Sequence, residues 1–271
     1  MLLLPVIISG CTSPPERLIP PKAPPAVKIQ DGFEIPVFSS AMSQLNYARS
    51  GFTDKREKKA AFRAVLDLFP RDIMECGHAS IGLAYLHLEP DYRFASPKTI
   101  RRAAVDFNSV LDRFAGQPDV VVKAHWYLGW IYTELMGAPE KGLVHFWRIV
   151  REFPDAPVSQ SPPVPWVNLV SPPKQHQDRK HPQRPEKLWA EVALLEIIRN
   201  TPDHPRAALA FDHLSERFPA GAATGFALKF MLADPGLANH ALPRVAPYLS
   251  QYTENPYLIR DIRMLAQKAS P

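Results

Sequence analysis

Cysteine is nearly missing from this chain. There are two in 271 residues, Cys11 and Cys76. That excludes a disulfide framework, and no Cys-x-x-Cys or Cys-x-x-Cys-His sequence occurs, so neither a thioredoxin-like dithiol nor a c-type haem attachment is expected. Glycine is scarce as well, 12 in all, and none builds a glycine-rich phosphate loop after a strand pattern. No apolar run after residue 11 is long enough to span a bilayer as a helix. Charge is not one-sided: 32 Lys and Arg stand against 27 Asp and Glu, a net of +5. The basic residues are spread, with Arg101-Arg102 and Lys55 to Lys59 as local clusters, which is no nucleic-acid footprint. Such a balance supports modest attraction to acidic partners or anionic headgroups. Cys76 and His78 are two apart without further ligands. His176, His181 and His204 are scattered through proline-rich sequence and lack metal-ligand spacing. Ser and Asp residues stand in no nucleophile context. The expectation is therefore no enzyme, no metal and no cofactor.

What the chain has is repetition. Residues 78–85 read His-Ala-Ser-Ile-Gly-Leu-Ala-Tyr and residues 125–132 read His-Trp-Tyr-Leu-Gly-Trp-Ile-Tyr. A second pattern follows each copy. Ala103, Phe107, Val110 and Phe114 recur as Gly142, Phe146, Ile149 and Phe153, and again as Ala207, Phe211, Leu214 and Phe218. Phe62, Val65 and Phe69 are an earlier partial copy, and Pro follows the Phe in three of the four. A pattern recurring at this period predicts helical hairpins stacked in a row, because no single unit buries its apolar face alone. On the best unit, Leu128, Ile131 and Tyr132 share one helix face, with Gly129 between them where a neighbouring helix can approach closely. Phe146, Ile149, Val150 and Phe153 form the stripe of the second helix. Gly137-Ala138-Pro139 supplies the turn, and Pro154 cannot continue the helix. His78 and His125 occupy equivalent positions, which predicts packing. Cys76, at the start of an apolar helix, is expected to be buried.

Leu128, Gly129, Tyr132, Gly142, Phe146, Ile149 and Pro154 match in order the signature of the tetratricopeptide repeat (TPR), which this pattern resembles. Residues 123–154 carry the closest likeness, and 78–115 match with a loop eight residues longer. Residues 188–219 match in their second helix and 41–70 in the half from Phe62 to Pro70. The resemblance implies an all-α, TPR-like helical-hairpin solenoid that binds proteins. It also implies that Lys123, Trp126, Trp130, Thr133 and Glu134, opposite the packing face, line a concave groove. Two readings of the tryptophans stay open: a stacked patch for a partner, or rings packed on the neighbouring unit.

The N-terminus is an address. Met1 to Gly10 is almost wholly apolar, and Ile8-Ser9-Gly10-Cys11 resembles the lipobox of bacterial lipoproteins. That resemblance implies cleavage before Cys11 and acylation there, and several acyl chains anchor stably where one does not. Residues 12–36 hold seven prolines and are expected to form an extended, disordered tether. A second proline-rich stretch, 157–187, includes Pro162-Pro163-Val164-Pro165-Trp166 and a basic run from Lys174 to Lys187. It reads either as a disordered insertion or as a partner-binding arm presenting Trp166.

The expected organisation is a signal segment (1–10), a tether (11–36), a TPR-like lobe (37–156), the insertion (157–187) and a C-terminal helical lobe (188–271). In the last lobe Phe226, Phe230 and Met231 line one helix, and Leu258, Ile259, Ile262 and Leu265 line a capping one. A lipobox followed by such repeats, with Arg102-Ala103-Ala104-Val105-Asp106-Phe107, is similar to the BamD-like lipoproteins of outer-membrane β-barrel assembly. The likeness implies a periplasm-facing scaffold on the outer membrane whose partners are other envelope proteins. A TPR lipoprotein of a pilus, secretion or polysaccharide-export system, or a regulator that positions cell-wall enzymes, fits the same sequence.

Overall fold

A computed structural model describes residues 26–50, 54–88, 91–158, 188–201, 203–252 and 254–270. Among these the chain is mostly helical, with eleven α-helices and one small sheet. The sheet is an antiparallel hairpin, β1 (Val27–Gln30) and β2 (Phe33–Pro36), in which Lys28 faces Ile35 and Gln30 faces Phe33. Asp31 (φ 52°) and Gly32 (φ 85°) make its two-residue turn. Positive φ at both central positions matches the right-handed twist of the strands, and Asp-Gly is the usual pair there. Residues 27–36 are therefore not a tether. Ile35 is buried, Gln44 donates to the Pro36 carbonyl at 3.0 Å and accepts from the Phe38 N–H at 3.1 Å, and Arg63 pairs with Asp31 at 2.8 Å.

The helices follow: α1 (Ala41–Ala48), α2 (Lys55–Leu68), α3 (Ile73–Tyr85), α4 (Pro97–Arg113), α5 (Pro118–Trp130), α6 (Pro139–Glu152), α7 (Trp189–Asn200), α8 (His204–Arg217), α9 (Ala222–Ala233), α10 (Pro235–Gln251) and α11 (Pro256–Ala269). Two short 3₁₀ turns, Leu86–Leu88 and Tyr92–Phe94, lie between α3 and α4. Six helices have proline at the first or second position, where a missing N–H costs nothing. Each helix packs on the next. Alternate helices also touch: α1 on α3, α3 on α5, α7 on α9, α9 on α11, and α8 on α10.

The recurring Phe has a common structural cause. Phe69, Phe114, Phe153 and Phe218 each sit one residue past a helix, with φ between −131° and −120° and ψ between 29° and 57°. Each donates its N–H to the carbonyl four residues back and accepts at its own carbonyl from the N–H three residues on. The helix-end carbonyls that need partners are met in the same way four times. Phe114 does so before Ala115, so the proline of the other three is tolerated by this ending rather than its cause.

The main apolar core runs without a break from Cys76 on α3 to Ile262 on α11. A smaller cluster, from Ile35 to Leu86, fills the space between the hairpin, α1, α2 and α3. The expected division into lobes at the insertion is not present in the core. Helices α6 and α7 pack directly together, Pro157 and Leu188 form an isolated antiparallel bridge, and the Trp189 N–H donates to the Ala156 carbonyl at 2.9 Å. The chain returns where it left, so a long insertion need not separate the elements on either side. Met231, Leu258 and Ile262 are buried as expected, whereas Phe230 is exposed.

Candidate functional site

Helix α5 was expected to hold a packing face and a partner face. Instead every residue from Val120 to Trp130 is buried. A helix buried on all sides is an interior helix, and α3, α4, α6, the α3–α4 connection and α7 together make α5 one. Its Gly129 side meets α6. A Cβ on Gly129 would lie 2.6 Å from the Phe146 ring, and one on Gly142 would lie 2.6 Å from the Gly129 carbonyl. The glycines thus let the two helices approach, as the repeat predicts. The side away from Gly129 packs on α3 and α4, where Tyr127 stacks on Phe107 at 4.8 Å. The Trp126–Trp130 side is covered by the long α3–α4 connection, where Tyr92 packs edge-on against Trp130 at 5.0 Å, and by α7, where Trp189 lies 6.1 Å from Trp126.

Trp126 and Trp130 do stack, with centroids 6.3 Å apart and planes 11° from parallel, but both are buried, at 0% and 3% exposure. They are core residues and not the open lining of a groove. The sequence signal for this was the longer loop of the 78–115 unit, which has the length to fold over its neighbour. Thr133 spends its hydroxyl on the Gly129 carbonyl at 2.9 Å. This occurs within a π-helical turn, Ile131–Leu135, that ends α5; side chains that intrude on the backbone ladder often accompany such turns. Glu134 alone of the five is exposed.

Lys123 is buried at 5% exposure and ion-paired to Asp119 at 2.9 Å; the same carboxylate takes His78 Nε2 at 2.9 Å. Hydrogen bonds from His78 and Lys123 hold the Asp119 carboxyl well below the usual carboxylate range. Arg49, at the end of α1, lies close enough to feel Asp119, though burial draws its guanidinium below the ordinary value. This polar cluster ties α3 to α5. His125, the repeat counterpart of His78, behaves differently: its Nδ1 lies 2.9 Å from Nδ1 of His145 on α6, with Tyr132 stacked on His145. Burial, then the neighbouring His145 and Arg148, pull His125 down to about 4, and burial with Arg148 does the same to His145. One imidazole must donate and the other accept, so both are neutral near pH 7. Equal repeat positions thus predicted burial correctly and left the partners open.

Two further groups were not foreseen. Glu196 on α7 is wholly buried, and its carboxyl is pushed up to about 8, chiefly by burial, against Arg199 and with Glu134 adding to the rise. Asn200 and Arg199 meet its Oε2 at 2.9 and 3.5 Å, while Oε1 has no partner among the described residues. Glu191, also on α7, accepts from the Ala223 N–H at 3.3 Å, placing a carboxylate at the start of α9, the favourable end of that helix for negative charge. Cys76 is buried, and its thiol donates to the Phe69 carbonyl at 3.2 Å. Burial raises its pKa and makes it a poor nucleophile.

Chemically, most of these groups are joints between helices, whereas the hydrogen bonds given for Glu196 come from its own helix. Among the described residues no three His, Cys, Asp or Glu side chains converge where they could hold a metal ion, and no helix is long and apolar enough to cross a membrane. Cys11 and the signal segment, the tether up to residue 25 and Trp166 with most of the insertion lie outside the described residues. The chain matches no family model and no curated protein.

Proposed function

We propose that this chain is a TPR-like helical-hairpin solenoid that acts as a scaffold and has no catalytic activity. Acyl chains on Cys11 hold it at the outer membrane, facing the periplasm, and its partners are other proteins of an envelope assembly machine. Outer-membrane β-barrel assembly is the machine the sequence likeness favours. The observation that carries the scaffold reading is the helix ending shared by Phe69, Phe114, Phe153 and Phe218. One local unit, reused along the chain and packed only on near neighbours, makes long outer faces rather than one enclosed pocket. Because α5 is interior, the partner surface of this scaffold is its outer helix faces and not the Trp126–Trp130 stack.

The test uses the full-length protein in its native cell. Membrane fractionation of the wild type and Cys11→Ser should show the variant moving from the membrane to the soluble periplasmic fraction. Cross-linking of intact membranes with mass spectrometry should then join the exposed faces of α2, α4, α6 or α8 to envelope proteins. A variant still bound to the membrane removes the anchor. Cross-links confined to copies of this chain remove the scaffold reading.

A further inference from the structure

Helix α4 begins against the usual electrostatic preference. A helix N-terminus carries partial positive charge, so acidic residues favour its first turn and cations oppose it. Here the first turn has no acid, Ser96 caps it through the Thr99 N–H, and the exposed positions that follow are Lys98, Arg101, Arg102 and Val105. Arg102 pairs with Asp106 at 3.2 Å, and His87 on the α3–α4 connection meets the same carboxylate at 2.9 Å. Among the described residues Lys98 and Arg101 make no ion pair. Lys98 stands in the first turn, Arg101 and Arg102 follow on the same exposed side, and among the described residues one carboxylate, Asp106, answers them.

The same residues enclose space. His87, Lys98, Thr99, Arg101, Arg102 and Val105 line an open hollow of about 390 Å³. Val105 is 56% exposed, and Phe94, in the turn just before the helix, is 84% exposed. Val105 lies in the hollow among its cations. An open hollow of this kind admits one aliphatic side chain, with flanking carboxylates reaching the cations at its rim.

We propose that this hollow docks an acidic segment of a partner protein, with an apolar side chain against Val105 and carboxylates on Lys98 and Arg101. A bound anion would also restore the charge that the start of α4 lacks. The inference names a surface for the scaffold reading and rests on it only in taking the occupant to be a protein. Peptide binding is measured apart from the anchor and the cross-links, so either can fail alone.

The full-length chain is titrated against a short fluorescein-labelled peptide with a central leucine flanked on both sides by aspartate and glutamate, read by anisotropy. The double variant Lys98→Glu/Arg101→Glu should weaken binding by about tenfold or more and flatten its salt dependence, since rim charges govern steering and register. Val105→Ser should weaken it while leaving the salt dependence in place. All three positions are exposed, and an unchanged circular dichroism spectrum confirms the fold. No binding, binding indifferent to these variants, or equal binding of a leucine-free acidic peptide overturns the proposal. So does capture of phosphatidylglycerol vesicles that depends on Lys98 and Arg101 when the peptide is not bound, which would make the patch a membrane contact.

Discussion

Gly129 on α5 faces the ring of Phe146 on α6 so closely that any Cβ would fall within 2.6 Å of the ring edge. The contact joins the two helices of the best repeat at the point where they come nearest, and Gly142 meets the Gly129 carbonyl from the other side. An aromatic ring fixed in a core cannot retreat as a flexible chain end would.

Gly129→Ala should therefore destabilise the protein despite alanine's better helix propensity, by about 1–3 kcal/mol, as overpacking does. Gly129→Leu should cost more. Thermal melts check both, and pairing Gly129→Ala with Phe146→Leu should recover part of the loss. An unchanged melting temperature for Gly129→Ala would mean that α5 and α6 are farther apart than described.

Trp126→Ala and Trp130→Ala should each act on folding rather than on an exposed contact. Removing a large buried side chain typically costs about 3–5 kcal/mol, and the two share a stack and neighbours on α7 and the α3–α4 connection, so their costs should not add simply. Denaturant titration of the single and double variants checks this. Native stability in the double variant would return the pair to the surface.

Glu196 sets a pH dependence in which stability is lost as pH rises from about 4.5 to about 8. Its carboxyl titrates near 8 when folded and near 4.5 as an ordinary glutamate. Between these values the folded state keeps a proton that the unfolded state has lost, so stability falls as pH rises through that window, by up to roughly 1.4 kcal/mol per pH unit. Glu196→Gln should be more stable than wild type at pH 8 and close to it at pH 4.5. Denaturation curves across the window measure the slope, and equal slopes in both proteins would show that Glu196 is not buried.

The His125–His145 pair works in the opposite sense. Both titrate near 4 in the fold against 6.5 for a free imidazole, so between these values the unfolded state holds more protons. Stability is full above 6.5 and is lost as pH falls toward 4. Melting temperatures should decline over that interval, and NMR titration of the imidazole carbons should show neither ring protonated at pH 5.5. His145→Phe, which keeps a ring against Tyr132, should lessen the decline.

Much of the helical order was legible because it is local. The Phe spacing at i, i+4, i+7 and i+11 selects one helix face, and Ala103, Phe107, Val110 and Phe114 are all buried on it. Gly129, with bulky residues on either side, announced a close approach and made one. The hairpin was legible too, in Asp31-Gly32 between short alternating runs, and was obscured by the prolines before it, whose composition argues for an extended chain. Composition averages over a window, whereas a turn depends on two residues.

The sequence by itself determined the helices, their shared Phe endings and the tight α5–α6 crossing, because each depends on residues within a few turns of one another. Only the tertiary structure decided which faces stay open. Trp126 and Trp130 carry the spacing of an exposed pair, yet Tyr92 and Trp189 cover them from segments far along the chain. His78 and His125 share a repeat position, yet one meets Asp119 and the other His145. Helical periodicity fixes which side chains share a face, but burial is set by whichever distant element packs on that face, and no local pattern encodes that.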